Sequence, residues 1–190
     1  MAVYFTADTH FGHARLIREG VLRRPFASVE EHDEALIRNW NAVVTSPSDD
    51  VWHLGDFALG ASPERCEQIF RRLRGRKHLV VGNHDAGRVT RLAWSSKPSE
   101  IRRIAVPYGD GQVELVLCHF AFRSWNRIHR GARHLFGHTH ASLPGTTRSC
   151  DVGVDAWDFR PVGIGEILEA MALAGTWPEE LAPATGSRDA

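Results

Sequence analysis

The chain has 190 residues, 43% hydrophobic and 24% charged, which is enough to bury one substantial core and too little for two full domains. Lys plus Arg (23) equals Asp plus Glu (23), so no global field draws the protein onto nucleic acid or an anionic membrane, and a nucleic-acid-coating role is disfavoured. Two biases sit inside that balance: 21 of the 23 basic residues are arginine, and there are 11 histidines.

The first element in chain order is a β-prone segment, Ala2 to Ala7. It lacks the basic start and apolar run of a secretory signal and reads as the first buried strand. Ser28 to Val44 opens with a Ser-x-x-Glu capping box (Ser28, Glu31) and carries Leu36, Ile37, Trp40, Val43 and Val44 at helical spacing. Strands follow at Asp50 to Leu54 and Lys77 to Val81. Between them a helix starts at Pro63 behind the cap Ser62, burying Cys66, Ile69, Phe70 and Leu73, with its arginines on a solvated face. Ile101 to Val106 and Gln112 to Cys118 flank a Gly-bearing connection and predict an antiparallel hairpin. The longest nearly apolar run, Val113 to Phe122, contains Glu114 and His119 and falls far short of the roughly 20 residues that span a bilayer. Short strands are expected at Ala132 to Phe136 and Ser149 to Val154, then a helix from Gly165 to Leu173. The polar, proline-bearing stretch 178–190 is expected to be a disordered tail behind a single domain, 1–177. Cys66, Cys118 and Cys150 have no CxxC spacing and read as reduced core residues in a cytoplasmic protein.

Five segments fall at or just after the carboxyl ends of predicted strands: Asp8-Thr9-His10, Gly55-Asp56, Gly82-Asn83-His84-Asp85, His119, and Gly137-His138-Thr139-His140. Loops in that position line the crevice where open α/β folds bind ligands. In Asp8-x-His10 and His138-x-His140 the i, i+2 spacing of an extended chain points both side chains to the same side, where they can grip one ion. The glycines before these segments allow sharp turns or close backbone approach.

The order Asp-x-His, Gly-Asp, Gly-Asn-His-Asp, His, Gly-His-x-His resembles the calcineurin-like metallophosphoesterase superfamily, and most of all its small bacterial and phage phosphoesterases, to which ADTHFGH, HLGDF, GNHD and GVDAW are similar. The resemblance implies a four-layer α/β/β/α sandwich with two mixed β-sheets. It also implies a phosphoester hydrolase in which a metal-bound hydroxide attacks the substrate. Asp8, His10, Asp56 and His140 would hold one divalent ion and Asp56, Asn83, His119 and His138 a second, with Asp56 bridging. His84 would act near the leaving group with Asp85 as its orienting partner. Imidazole, carboxylate and amide donors without thiolate suit Mn²⁺, the favoured ion, as well as Fe, Zn²⁺, Ni²⁺ or Co²⁺.

Around that set, His13 shares a loop with two proposed ligands, and Arg123 and Arg127 follow His119; all three are candidate substrate-phosphate contacts, set against solvated or structural roles. Asp151 and Asp155 are candidates to bond a ligand imidazole from behind. Trp125 and Trp157 read as packing residues, and His32, His53 and His78 as core or rim histidines. The chain lacks the Asp-Arg-Gly and Gly-Asn-His-Glu of the superfamily's protein phosphatases, and it lacks length for the capping domain of its repair nucleases. A phosphodiester or nucleotide substrate is therefore the favoured expectation, with nucleic acid as a substrate left open. A phosphomonoesterase, or a catalytically silent binding module on the same fold, is the alternative.

Overall fold

The short apolar segments pair into two four-stranded sheets in the computed structural model, which describes residues 1–18 and 24–182. In the first sheet, β1 (Val3–Thr6) runs parallel to β2 (Asp50–His53), which runs parallel to β3 (Arg76–Leu79). In the second, β4 (Ile101–Tyr108) and β5 (Gly111–Cys118) form the expected antiparallel hairpin; β6 (Arg133–Phe136) lies parallel to β5 and β7 (Ser149–Asp151) parallel to β6. A two-residue strand, β8 (Val162–Gly163), closes the first sheet antiparallel to β1. Both sheets are thus mixed. The helices are α1 (Arg15–Arg18), α2 (Val29–Val43), α3 (Pro63–Arg72), α4 (Gly87–Thr90) and α5 (Ile164–Leu173). No helix among the described residues is long and apolar enough to cross a membrane.

Three apolar clusters separate the layers. Helices α2 and α3 bury Leu36, Ile37, Trp40, Cys66, Ile69 and Phe70 with Val51 and Leu79 of the first sheet. Both begin on serine caps: Ser28 Oγ accepts from the Glu31 N–H at 3.1 Å and Ser62 Oγ from the Arg65 N–H at 3.2 Å. The return arm of the capping box is displaced by one residue, since Glu31 accepts from the Ala27 N–H. Between the sheets, Phe5, Leu54, Leu115, Leu117, Leu135 and Val162 interdigitate, and Ile167 and Met171 of α5 pack into the same cluster. The outer face of the second sheet has only a small cluster of Val116, Trp125, Ile128 and Ala132, so a 3₁₀ turn (Ile128–Arg130) and loops stand there in place of long helices.

Most elements differ from the sequence expectation by a residue or two at their ends, and three segments depart in a way that has a local cause. The hairpin strands run on through Pro107 and Tyr108, and Tyr108 pairs with Gly111 around a turn in which Gly109 takes φ 57°. The strand expected over Ser149 to Val154 stops at Asp151, because Asp151 Oδ1 accepts from the Gly153 N–H at 2.7 Å and turns the chain into the 3₁₀ segment Val154–Ala156. Of the stretch expected to be disordered, residues 183–190 lie outside those described, whereas Glu179–Leu181 is a 3₁₀ turn held by ion pairs from Glu179 to Arg123 and from Glu180 to His129.

The parallel register of β1, β2 and β3 delivers three chain segments to one edge of the first sheet, and parallel β5 and β6 deliver two more from the second. Leu117, fully buried between the sheets, holds these edges together. Leu117→Ala is expected to cost about 2–5 kcal/mol in urea denaturation with an unchanged m-value. A loss under about 1 kcal/mol would contradict the packing described.

Candidate metal centre

The loop after β1 is laced to the loop after β2: the Asp8 N–H donates to the Gly55 carbonyl at 2.9 Å and the His10 N–H to the Asp56 carbonyl at 3.0 Å. Five of the seven predicted ligand positions, Asp8, His10, Asp56, His138 and His140, have positive φ between 47° and 67°. A non-glycine residue in that region costs on the order of 1–2 kcal/mol, so the surroundings must over-determine this backbone, which is how functional sites hold strain. Close approach is needed too. A Cβ on Gly82 would lie 2.4 Å from Asp56 Oδ1, so only glycine fits beside that carboxylate.

Among the described residues, two groups bring donor atoms within 4.8 Å of one another: Asp8, His10 and His140, and Asp56, His119 and His138. Asp56 lies between them, its Oδ2 3.7 Å from His10 Nε2 and 3.5 Å from His119 Nε2. Asn83 Oδ1 stands 2.9 Å from His119 Nε2, which puts the seventh predicted position at the second group. Asp8 Oδ1 is buried without a hydrogen-bond partner, an orphaned acceptor facing imidazoles. Oxygen and nitrogen donors converging on a buried, unpaired carboxylate oxygen fit a pair of divalent cations of the borderline-to-hard kind.

Two of the imidazoles are aimed from behind. His119 Nδ1 donates to the Leu54 carbonyl at 2.8 Å, which turns Nε2 toward Asp56 and Asn83. His140 Nδ1 meets Asp155 Oδ2 at 2.7 Å, as expected of Asp155. Asp155 is gripped in turn by Arg24, through Nε to Oδ1 at 2.8 Å and Nη2 to Oδ2 at 2.7 Å. Arg24 is only 2% exposed and also donates to the carbonyls of Asp8 and Thr9 at 2.6 and 3.1 Å; its Nη1 lies 2.8 Å from His32 Nε2. One guanidinium therefore positions both the Asp8-x-His10 loop and, through Asp155, His140. Sequence reasoning missed Arg24, because one arginine among 21 has no local signal of burial.

Other predicted residues fall differently. Asp85 does not orient His84. Its carboxylate accepts the N–H groups of Gly82, Asp56 and Phe57 at 2.8–2.9 Å and so ties the third loop to the second. His84 is at the rim, 43% exposed, with its N–H donating to Asp56 Oδ1 at 2.9 Å and its Nε2 3.9 Å from Asp56 Oδ2. His13 does reach the site, its ring centroid 5.4 Å from that of His10. Arg123 and Arg127 are not brought there: Arg123 pairs with Glu179, and Arg127 pairs at 2.8 Å with Glu114, back along β5 from His119. Asp151 bonds no ligand imidazole; it accepts from the Thr139 hydroxyl at 2.6 Å and the Ala141 N–H at 3.0 Å, shaping the His138-to-His140 turn. Trp125 and Trp157 pack, their indole N–H groups donating to the carbonyls of Ala132 and Asp151.

Burial is the largest single influence on each group here, but it does not always prevail. It pushes the Asp8 carboxyl up to about 7 and His10 down to about 2. Burial would also raise Asp56, but hydrogen bonds from His119 and the His84 N–H outweigh it and hold that carboxyl at about 2. In His119 and His140 burial opposes the charge, yet Asp56 and Asp155 respectively prevail and raise them.

Residues 1–142 match the family of calcineurin-like phosphoesterases, and the chain belongs to that family. It is 32% identical to the Gene 66 protein of Mycobacterium phage L5, over 88% of this chain and 93% of that one, and 32% identical to the Gene 66 protein of Mycobacterium phage D29, over 82% and 88%. Uncharacterized protein MJ1445 of Methanocaldococcus jannaschii is 39% identical over 44% of this chain and 46% of its own. The crystal structure of AQ665 of Aquifex aeolicus, a protein of unknown function, superimposes with a TM-score of 0.66 at 21% identity, covering 88% of this chain and 98% of that one, and so shares the fold.

Two outcomes test the centre. Asp155→Asn and Arg24→Ala are each expected to weaken Mn²⁺ binding about 10–100-fold in calorimetric titration, and unchanged affinity in both would contradict the support described. Asp8, raised to about 7, favours the metal-free fold while protonated, and that contribution is lost as pH rises through the folded value. A cation favours the ionised form, so the gain in Tm on adding Mn²⁺ to chelated protein should be larger at pH 8 than at pH 5. A gain that is equal or smaller at pH 8 would contradict it.

Proposed function

We propose that the protein is a phosphoesterase that works with two divalent cations and cleaves phosphodiester or nucleotide substrates. The observation that carries this reading is Asp56 standing between two imidazole-bearing groups, within 3.7 Å of a ring nitrogen from each. Asp8, His10, Asp56 and His140 would hold one ion, and Asp56, Asn83, His119 and His138 the other. Mn²⁺ is the favoured ion, with Fe, Zn²⁺, Ni²⁺ and Co²⁺ accepted by the same donors. When bound, such a pair supplies an acidified water and a clamp on the phosphate oxygens.

The chain's own residues do the rest. Asp56, held ionised, keeps the two groups in register, and Asp8 and the imidazoles would hold the cations in place. His84 at the open rim, when protonated, would donate to the departing oxygen or to an equatorial phosphate oxygen. Asp85 acts as a positioning residue, because its three backbone bonds place Asp56 and the His84 loop relative to each other. His13, beside His10, contacts the substrate from the flank. The exposed rim of Asn83, His84 and His138 favours a diester, whose second ester group needs room, over a monoester buried in a closed pocket. The full donor set weighs against a silent binding module. The three free cysteines, all buried, favour a cytoplasmic setting.

The test is turnover of bis-p-nitrophenyl phosphate and p-nitrophenyl phosphate by chelated protein resupplied with each of the five metals. Activity restored by Mn²⁺, greater on the diester, is expected; no turnover of either ester with any metal would end the enzyme reading. His84→Ala is expected to keep two ions by metal analysis and lose about 10²–10⁴-fold in kcat. Asp56→Ala is expected to lose the ions themselves, and a full metal complement in that variant would contradict bridging.

A further inference from the structure

Beside Asn83 and His119 the surface opens into a hollow of about 310 Å³. Its walls are Val81, Ile101, Cys118, Phe120 and Phe122, with Asn83 at one side and Glu100 at another. Two of these side chains are apolar and conspicuously open to solvent: Phe120 is 45% exposed and Ile101 53%. Phe120 also touches the candidate centre, its ring centroid 5.1 Å from that of His119 and 4.8 Å from that of His138, edge-on to both. The phosphate site and the hollow thus share a wall.

We infer that this hollow is the subsite for the nucleoside of a nucleotidyl ester, with the base lying against Phe120, which makes Phe120 the residue that sets substrate preference. The inference rests on the phosphoesterase reading above and narrows its substrate to a nucleotidyl diester bound through its base. Three features choose this occupant. The volume accommodates one nucleoside. The aromatic and aliphatic walls favour a flat apolar group, and stacking a base on an aromatic ring contributes about 1–3 kcal/mol. The lining carries no basic side chain, and the carboxylate of Glu100 would repel a second phosphate, so a polyphosphate or a continuing strand is a poor fit. Glu100 instead offers an acceptor to the N–H groups of a base. The arginines that might have followed a nucleic-acid backbone, Arg123 and Arg127, are committed to Glu179 and Glu114.

The experiment compares two diesters with the same p-nitrophenolate leaving group: the p-nitrophenyl ester of thymidine 5′-monophosphate and methyl p-nitrophenyl phosphate, both with Mn²⁺. The wild-type protein is expected to favour the nucleoside ester at least tenfold in kcat/KM, mostly through KM. Phe120→Ala should reduce that ratio to about twofold or less, Phe120→Trp should retain it, and Ile101→Asp, at an exposed position tolerant of change, should reduce it as well. A wild-type ratio near one, or a ratio unmoved by both Phe120→Ala and Ile101→Asp, would overturn the subsite. If neither ester is hydrolysed, the phosphoesterase reading fails on its own account, and the hollow is judged by titrating thymidine 5′-monophosphate. Binding weakened about tenfold by Phe120→Ala would then uphold the subsite, and equal affinity, or no binding to wild type, would overturn it.

Discussion

A carboxylate buried among imidazoles is the constraint on which the rest of this structure depends. Asp8 has one oxygen with no partner and is driven toward its neutral form, while Asp56, which shares His10 as a neighbour with it, is held charged by His119 and the His84 backbone. Such an arrangement is poorly satisfied by protein groups alone, and divalent cations would complete it. Its cost is visible in the backbone, where five of the seven donor-bearing residues adopt left-handed conformations that their side chains disfavour. The fold spends its regularity to hold them: parallel strands align the loops, Asp85 fastens three N–H groups, and Arg24 clamps two carbonyls and Asp155.

The two sheets divide the labour. The first supplies Asp8, His10, Asp56 and Asn83 from loops after three parallel strands, and the second supplies His119, His138 and His140 from loops after two more. Two of the three imidazoles from the second sheet are aimed by something belonging to another segment: His119 by the Leu54 carbonyl and His140 by Asp155. The inter-sheet core around Leu117 and Leu135 is therefore also what sets the spacing between the two groups of donors.

Much of this was legible in the sequence, for identifiable reasons. The donor segments could be read because each combines a chemistry-bearing residue with its position at a strand end, and both are local properties. The caps Ser28 and Ser62 were legible on the same ground. What was not legible depends on where the chain goes next. Arg123 and Arg127 follow His119 closely, yet the chain turns outward there and surrenders both to Glu179 and Glu114. Asp85 stands next to His84, but adjacency along a tight turn points their side chains apart, and the carboxylate finds backbone donors instead. Arg24 reaches Asp155 across 131 residues, a pairing that no spacing rule announces. The two-residue strand β8 is too short for any alternation to appear.

The claim that two cations share Asp56 is tested most directly by anomalous scattering from a crystal of the Mn²⁺-loaded protein. The expected map has two manganese peaks about 3.5–4 Å apart, one on each side of the Asp56 carboxylate. A single peak, or two peaks of which neither lies against Asp56, would contradict it.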